Sequence, residues 1–322
     1  MKAIQVDGQD LRWDDVVEPP LGVGEVRIAN RATALNRADL AQRAGHYAPP
    51  PGASLILGLE CAGVVEAIGE GVGRVREGDH VCALLAGGGY AEKVVVPAGQ
   101  VLPIPEGLSF HEAAALPEVF ATAYLNLFME AYLEPGEFVL LHAGASGVGT
   151  AAIQLCAAFD NPCFVTVGNT EKVERCVELG AAAGCDRHVD HFVEEVPRWT
   201  SQHGMDVILD PVGGAYFESN IASLAVDGRL VLIGLLDGSA APVALGAMMS
   251  RRLRVIGSTL RGRSIAAKSR VMDALRDRVW PLIEAGKVRA VVETVMPVTD
   301  ANQAHQLLSE NGTFGKVVLD IP

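Results

Sequence analysis

The 322-residue chain carries 26 Lys and Arg against 39 Asp and Glu, a net charge of −13, with 49% hydrophobic residues and a mean hydropathy of +0.25. That length and apolar content suffice for two domains with sizeable cores, whereas the acidity, with Lys and Arg concentrated only at Arg251-Arg252-Leu253-Arg254 and Arg261-Gly262-Arg263, argues against an extended nucleic-acid surface. No apolar run reaches the roughly 18 residues of a membrane span; with no secretion signal and no C-x-x-C pair among six cysteines, a cytoplasmic protein with reduced thiols is expected.

Along the first hundred residues, short β-like runs such as Glu25 to Asn30, Gly63 to Gly69 and Asp79 to Pro97 are separated by turns, which predicts a mostly β domain of antiparallel hairpins. From His111 to Leu133 the composition turns helical, broken by Pro117. Strand and helix patterns then alternate: strand Phe138 to His142, helix Gly147 to Phe159, strand Cys163 to Val167, helix Glu171 to Leu179, strand Asp206 to Leu209, helix around Tyr216 to Leu224, strand Arg229 to Ile233 and strand Arg254 to Leu260. Continuous apolar strands alternating with amphipathic helices predict an α/β, doubly wound parallel sheet covered on both faces. The tail, with a helix near Ile265 to Ile283, a β run around Val288 to Val298, a helix opening at Asp300 and a closing strand, is placed with the first domain.

The stretch His142 to Leu155 packs small residues between a strand and a helix. A Walker A loop would need Lys before Ser or Thr, and Gly149 is followed directly by Thr150. A nucleophile elbow would need Gly at 148, where Val148 stands. What remains is a dinucleotide fingerprint, Gly144-x-Ser146-x-x-Gly149: Gly144 permits the tight turn, a small residue at 146 lets the pyrophosphate near the backbone, and Gly149 allows close packing of helix on strand. The second strand ends on Gly168 and Asn169 instead of the acid that bonds the ribose 2′-OH of NAD. This leaves room for a 2′-phosphate, with Lys172 and Arg187 as compensating charges, and favours NADP(H). The alternative for both cations is a solvated surface.

Together, the stretches Ala34 to Gly63, Ala143 to Leu155, Glu178 to Gly184 and the terminal Phe314 to Leu319 resemble the zinc-free quinone oxidoreductases of the zeta-crystallin type, within the medium-chain dehydrogenase/reductase superfamily. The resemblance covers nearly the whole chain. It implies a GroES-like domain over residues 1–117 and 263–322, a Rossmann domain inserted over 118–262, a nucleotide cleft at their junction and a homodimer. By motif match it implies nucleotide contacts at Ser146, Gly147, Val148 and Gly149 for the pyrophosphate, and at Gly168, Asn169 and Lys172 for the adenosine end. It further implies Thr122 on the nicotinamide side, a main-chain contact from Ile233-Gly234-Leu235, and Phe314-Gly315-Lys316 against the carboxamide. Asn36 and Tyr47 match residues lining the substrate side, Tyr47 also lying close to the cofactor. Arg187 is a departure, standing where relatives place a tyrosine near the 2′-phosphate.

Zinc-dependent relatives carry Cys where this chain has Asn36 and His where it has Leu59, beside Glu60, and a clustered four-cysteine lobe that is absent here. Cys61 and Cys82 are too few and too scattered to replace those ligands, so no metal is expected. Without a Lewis acid or a positioned proton donor, an alkoxide would go unstabilised, whereas a quinone or activated enone disperses the arriving charge itself. Asn36 would orient a carbonyl, and Tyr47 would stack or donate a hydrogen bond; the alternatives are a turn-stabilising side chain and an exposed loop aromatic. The expected activity is NADPH-dependent quinone reduction. The alternatives are NADPH-dependent reduction of α,β-unsaturated carbonyls and a nucleotide-binding protein without turnover.

Overall fold

The computed structural model describes residues 1–8 and 10–322, which divide into two compact units: Met1–Ala121 with Leu260–Pro322, and Thr122–Thr259.

The first unit opens with the strands β1 (Lys2–Asp7) and β2 (Asp10–Asp15), an antiparallel pair. It continues through β3 (Glu25–Ala34), helix α1 (Arg37–Arg43), β4 (Glu60–Ile68), β5 (His80–Leu84), β6 (Lys93–Pro97) and β7 (Val101–Pro103). Helices α2 (Phe110–Ala114) and α3 (Pro117–Tyr124) follow. Pro117 opens α3, where a missing N–H costs nothing, and Ser109 caps α2 through a reciprocal pair with Glu112. A π-helical turn, Leu125–Glu130, succeeds α3 directly.

The second unit alternates strand and helix: β8 (Val139–His142), α4 (Gly147–Ala158), β9 (Cys163–Val167), α5 (Thr170–Leu179), β10 (Ala183–Asp186), α6 (Phe192–Trp199), β11 (Met205–Asp210), α7 (Gly214–Ser223), β12 (Leu224–Leu232), α8 (Leu245–Ser250) and β13 (Arg254–Gly257). All six strands are parallel, in the order β10-β9-β8-β11-β12-β13. Counted from β8, this is the 3-2-1-4-5-6 order of a doubly wound dinucleotide fold, whose order reverses between β8 and β11. The strands are buried almost throughout, so their sequences run apolar without alternating.

The chain then returns to the first unit through α9 (Ile265–Arg278), α10 (Trp280–Glu284), β14 (Val292–Pro297), α11 (Ala301–Ser309) and β15 (Lys316–Asp320). β15 pairs with β3 and with β14, completing a seven-stranded sheet in the order β14-β15-β3-β4-β5-β7, with β6 on β3. A buried core of Ile4, Leu35, Leu57, Tyr90, Val317 and Leu319 draws on both ends of the sequence.

Two differences from the sequence pattern have physical causes. The single helix expected from Ile265 to Ile283 is interrupted at Val279, because Pro281 can sit only in the first turn of a new helix. β10 and α6 were not expected: β10 is four residues long and rich in small side chains, and α6 contains Pro197.

Candidate active site

The order reversal in the second unit places two strand ends side by side, and the glycine loop leaves the first of them. Ala143, at φ +54°, begins the turn, and Gly144 N–H donates to Thr166 O on the neighbouring strand. Ser146 is the N-cap of α4; its Oγ accepts from Gly149 N–H at 3.0 Å. A Cβ on Gly149 would stand 2.4 Å from Gly144 O, and one on Gly144 would stand 2.7 Å from Val165 Cβ, so both positions exclude any side chain. The N–H groups of Gly147 and Val148 find no acceptor among the described residues. A 12-residue helix with open N–H groups above a loop of small residues fits a pyrophosphate.

At the end of β9, Asn169 caps α5 by accepting from Lys172 N–H at 2.8 Å, which fixes the lysine in the first turn. Arg187, whose N–H donates to Val167 O, lays its guanidinium against Gly168: a Cβ there would lie 3.3 Å from Nη1. Gly168 lets the guanidinium lie close to the backbone, and Arg187 has no carboxylate partner among the described residues. The structure brings Gly168, Asn169, Lys172 and Arg187 to one strand end, with no acid in the ribose position.

A buried network beneath the loop was missed by sequence reasoning. His142, the last residue of β8, contacts Thr166 Oγ1 through Nδ1 at 2.9 Å and Asn220 Oδ1 through Nε2 at 2.7 Å. Asn220 Nδ2 donates to Asp210 Oδ2 at 2.9 Å, so its Oδ1 is the acceptor and His142 carries its proton on Nε2. Asp210, the last residue of β11, accepts in turn from Val212 and Gly213 N–H. Burial pushes the Asp210 carboxyl up to about 6 and His142 down to about 4. Asp210 O and Pro211 O also receive Ile233 and Leu236 N–H, so this network fixes the turn that carries Gly234 and Leu235. A charged residue closing the apolar run Val207-Ile208-Leu209 was the available signal.

In the first unit, Asn36 is committed internally. Its Nδ2 donates to Glu60 Oε1 at 2.9 Å and to Ala34 O at 3.2 Å, while its Oδ1 accepts from Lys316 Nζ at 2.7 Å. Lys316 Nζ also bonds Leu35 O and Glu60 Oε1, and Glu60 Oε2 takes Glu118 N–H. The side chain expected to orient a carbonyl thus has one N–H on the Glu60 carboxylate of a buried ion pair and the other on the Ala34 carbonyl. Lys316, 4% exposed, turns its ammonium to this network, so the expected carboxamide contact has no free cation behind it. Phe314 is buried, and Gly315, at φ +90°, admits no side chain beside Val291 O.

Asp39 accepts from Asn36 N–H and Gly58 N–H and lies 3.4 Å from Tyr90 Oη, which is 3.2 Å from His305 Nε2. Burial raises Asp39 to about 6 and lowers His305 to about 4. Tyr47 is half-buried, with its ring centroid 5.2 Å from the guanidinium carbon of Arg261. Thr122 lies on α3, and its carbonyl accepts from Asn126 Nδ2. Leu59 is buried between Gly58 and Glu60, and no group of three His, Cys, Asp or Glu side chains suited to a metal occurs among the described residues. All six cysteines are buried thiols.

A 3-2-1-4-5-6 sheet with this loop, joined to a β unit closed by the chain's own C-terminus, defines an NAD(P)H-dependent oxidoreductase. Residues 22–106 match the alcohol dehydrogenase GroES-like domain, and residues 179–319 match the zinc-binding dehydrogenase family. The synaptic vesicle membrane protein VAT-1 homolog of Mus musculus is 32% identical over 327 residues, covering 97% of this chain and 80% of that protein. Among solved structures, the Escherichia coli quinone oxidoreductase complexed with NADPH superposes at TM-score 0.88 with 28% identity over 99% of each chain. An NAD-dependent alcohol dehydrogenase superposes at 0.87 with 32% identity over 100% of each. The chain belongs to the medium-chain dehydrogenase/reductase superfamily, in its quinone oxidoreductase-like branch. The zinc-binding name of one matched family describes that family, and this chain presents Asn36 and Leu59 where zinc-dependent members are expected to carry ligands.

Proposed function

We propose that this protein is an NADPH-dependent reductase of quinones that works without a metal. The observation that carries the cofactor choice is the end of β9, where Gly168 and Asn169 replace the ribose-binding acid and Arg187 and Lys172 supply positive charge. Similar folds serve both cofactors, so these residues, rather than the fold, decide between them. Ser146, Gly147, Val148 and Gly149 would hold the pyrophosphate, Gly144 would keep the loop close to the strand, and Thr122, Gly234, Leu235 and the Phe314 to Lys316 backbone would meet the nicotinamide side. Bound NADPH would supply a hydride which, with one proton from water, converts a quinone to its hydroquinone. The chain's own contribution is to bind and align, because Asn36 is spent on Glu60 and Lys316 and Leu59 is aliphatic. An acceptor that disperses charge over its own ring suits such a site. A dimer is also proposed, through β13, which among the described residues pairs only with β12 and so leaves an open sheet edge.

The test is NADPH oxidation against a panel of quinones in the presence of a chelator, with NADH and an enone alongside. Quinone turnover with NADPH preferred is expected, and Lys172→Ala or Arg187→Ala should each raise KM for NADPH about ten-fold while leaving that for NADH unchanged. Turnover of the enone alone would replace quinones with unsaturated carbonyls as the acceptor, and NADPH binding without turnover would leave a nucleotide-binding protein.

A further inference from the structure

Arg261, on the connection between β13 and α9, is 3% exposed. Its Nε donates to Ala86 O at 2.8 Å and its Nη2 to Gln42 Oε1 at 2.6 Å. The Gln42 amide is fixed in that orientation, because its Nε2 donates to Leu55 O. The third nitrogen, Nη1, is sequestered from solvent and has no acceptor among the described residues. Among the described residues no carboxylate pairs with the guanidinium; Asp39 and Glu118 act on it only through space. A second buried cation deepens the imbalance: Lys268, 5% exposed, donates its Nζ to Arg261 O at 3.3 Å.

Buried arginine N–H groups nearly always find an acceptor, and leaving one unmade costs about 1–3 kcal/mol, more on a charged group. The other arginine with an orphaned nitrogen among the described residues, Arg27, has Glu18 and Glu66 as counterions. Arg261 has instead the face of the Tyr47 ring, a cation–π contact that satisfies the charge in part and the N–H not at all. A planar aromatic molecule bearing an oxyanion could replace the ring face and supply the missing acceptor together.

We propose that Arg261 is an oxyanion site for the acceptor: with the Tyr47 ring turned aside, its Nη1–H donates to the aryl oxygen that becomes negative as the acceptor is reduced. This deepens the quinone-reductase reading and rests on it. The acceptor gains two electrons and one hydrogen with the hydride, one of its oxygens becomes the anion, and a proton from water then gives the hydroquinone. Arg261 keeps its own proton throughout and lowers the energy of the charged product. The stretch reads as surface charge in the sequence, because the partners that bury Arg261 lie 175 and 219 positions away.

The direct probe is 4-nitrophenolate, titrated by its absorbance into the full-length protein without nucleotide, at a pH where the phenol is ionised. Arg261→Gln should weaken phenolate binding by about ten-fold or more, and Arg261→Lys by about three-fold, with NADPH affinity measured by fluorescence changed by less than about three-fold. The same variants should lose kcat/KM for the quinone in the same order. Should Arg261→Gln fail to fold, as judged by thermal melting, Lys268→Met should still weaken phenolate by about three-fold. Unchanged phenolate affinity in a folded Arg261→Gln protein overturns the proposal. So does loss of NADPH affinity in step with phenolate and competition by inorganic pyrophosphate, which would give the site to the nucleotide. Phenolate binding through Arg261 in a protein that reduces no quinone would uphold the anion site and sink the reading of the acceptor.

Discussion

Arg229 and Arg261 are 5% and 3% exposed, and the protein treats them oppositely. Arg229, on β12, closes a bidentate pair with Glu137 at 2.6 and 2.7 Å and donates further to Ala131 O and Tyr132 O. Arg261 has two neutral acceptors, an aromatic face and a bare N–H. A buried cation with a carboxylate and carbonyls around it holds a fold together, whereas one held by neutral groups with a donor to spare is electrostatically unfinished. That difference separates a structural arginine from one poised for a ligand.

The largest expected effect breaks the finished pair: Arg229→Met should lose about 3 kcal/mol, read from the urea midpoint of unfolding, because Glu137 and two carbonyls lose their donors together. Next, Arg229 and Arg261 should diverge under the same change. Arg261→Met should cost about 1 kcal/mol or less, since removing an uncompensated charge offsets two lost hydrogen bonds. An equal loss in both variants would erase the distinction.

A pH effect follows from the buried network under the glycine loop. His142 falls from its ordinary value near 6.5 to about 4 on folding, so the unfolded chain binds more protons between those values, and acid weakens the fold through this group. Asp210, raised to about 6, acts in the opposite sense, its contribution being full at low pH and lost as pH rises. Replacing His142 by Gln removes one of the two opposing slopes. The stability gap between wild type and His142→Gln should therefore shrink by about 1–2 kcal/mol from pH 7 to pH 5, measured by denaturation at both pH values. The smallest effect is reserved for the exposed pair Arg252 and Asp227, each 63% exposed, where Arg252→Ala should give no resolvable change in the unfolding midpoint.

The alternation that foretold a doubly wound sheet was legible because β8, β9 and β11 are buried on both faces and so read as continuous apolar runs. The glycine loop was legible because the steric limits at Gly144 and Gly149 act between neighbours in sequence or adjacent strands. The internal bonds of Asn36 were illegible for the opposite reason: its amide meets Glu60 and Lys316, 24 and 280 positions away. β10 escaped notice because its four residues take their extended form from pairing with β9, with only Cys185 of the four buried.

By itself, the sequence determined the alternation of strand and helix, the glycine turn after β8 and the absence of an acid at the end of β9, since each depends on spacing within a few tens of residues and on which side chains are absent. Only the tertiary structure decided which polar groups are already satisfied. Hydrogen-bond saturation at Asn36 and its shortfall at Arg261 are settled by partners from distant parts of the chain, and no local pattern records whether a buried donor has met its acceptor.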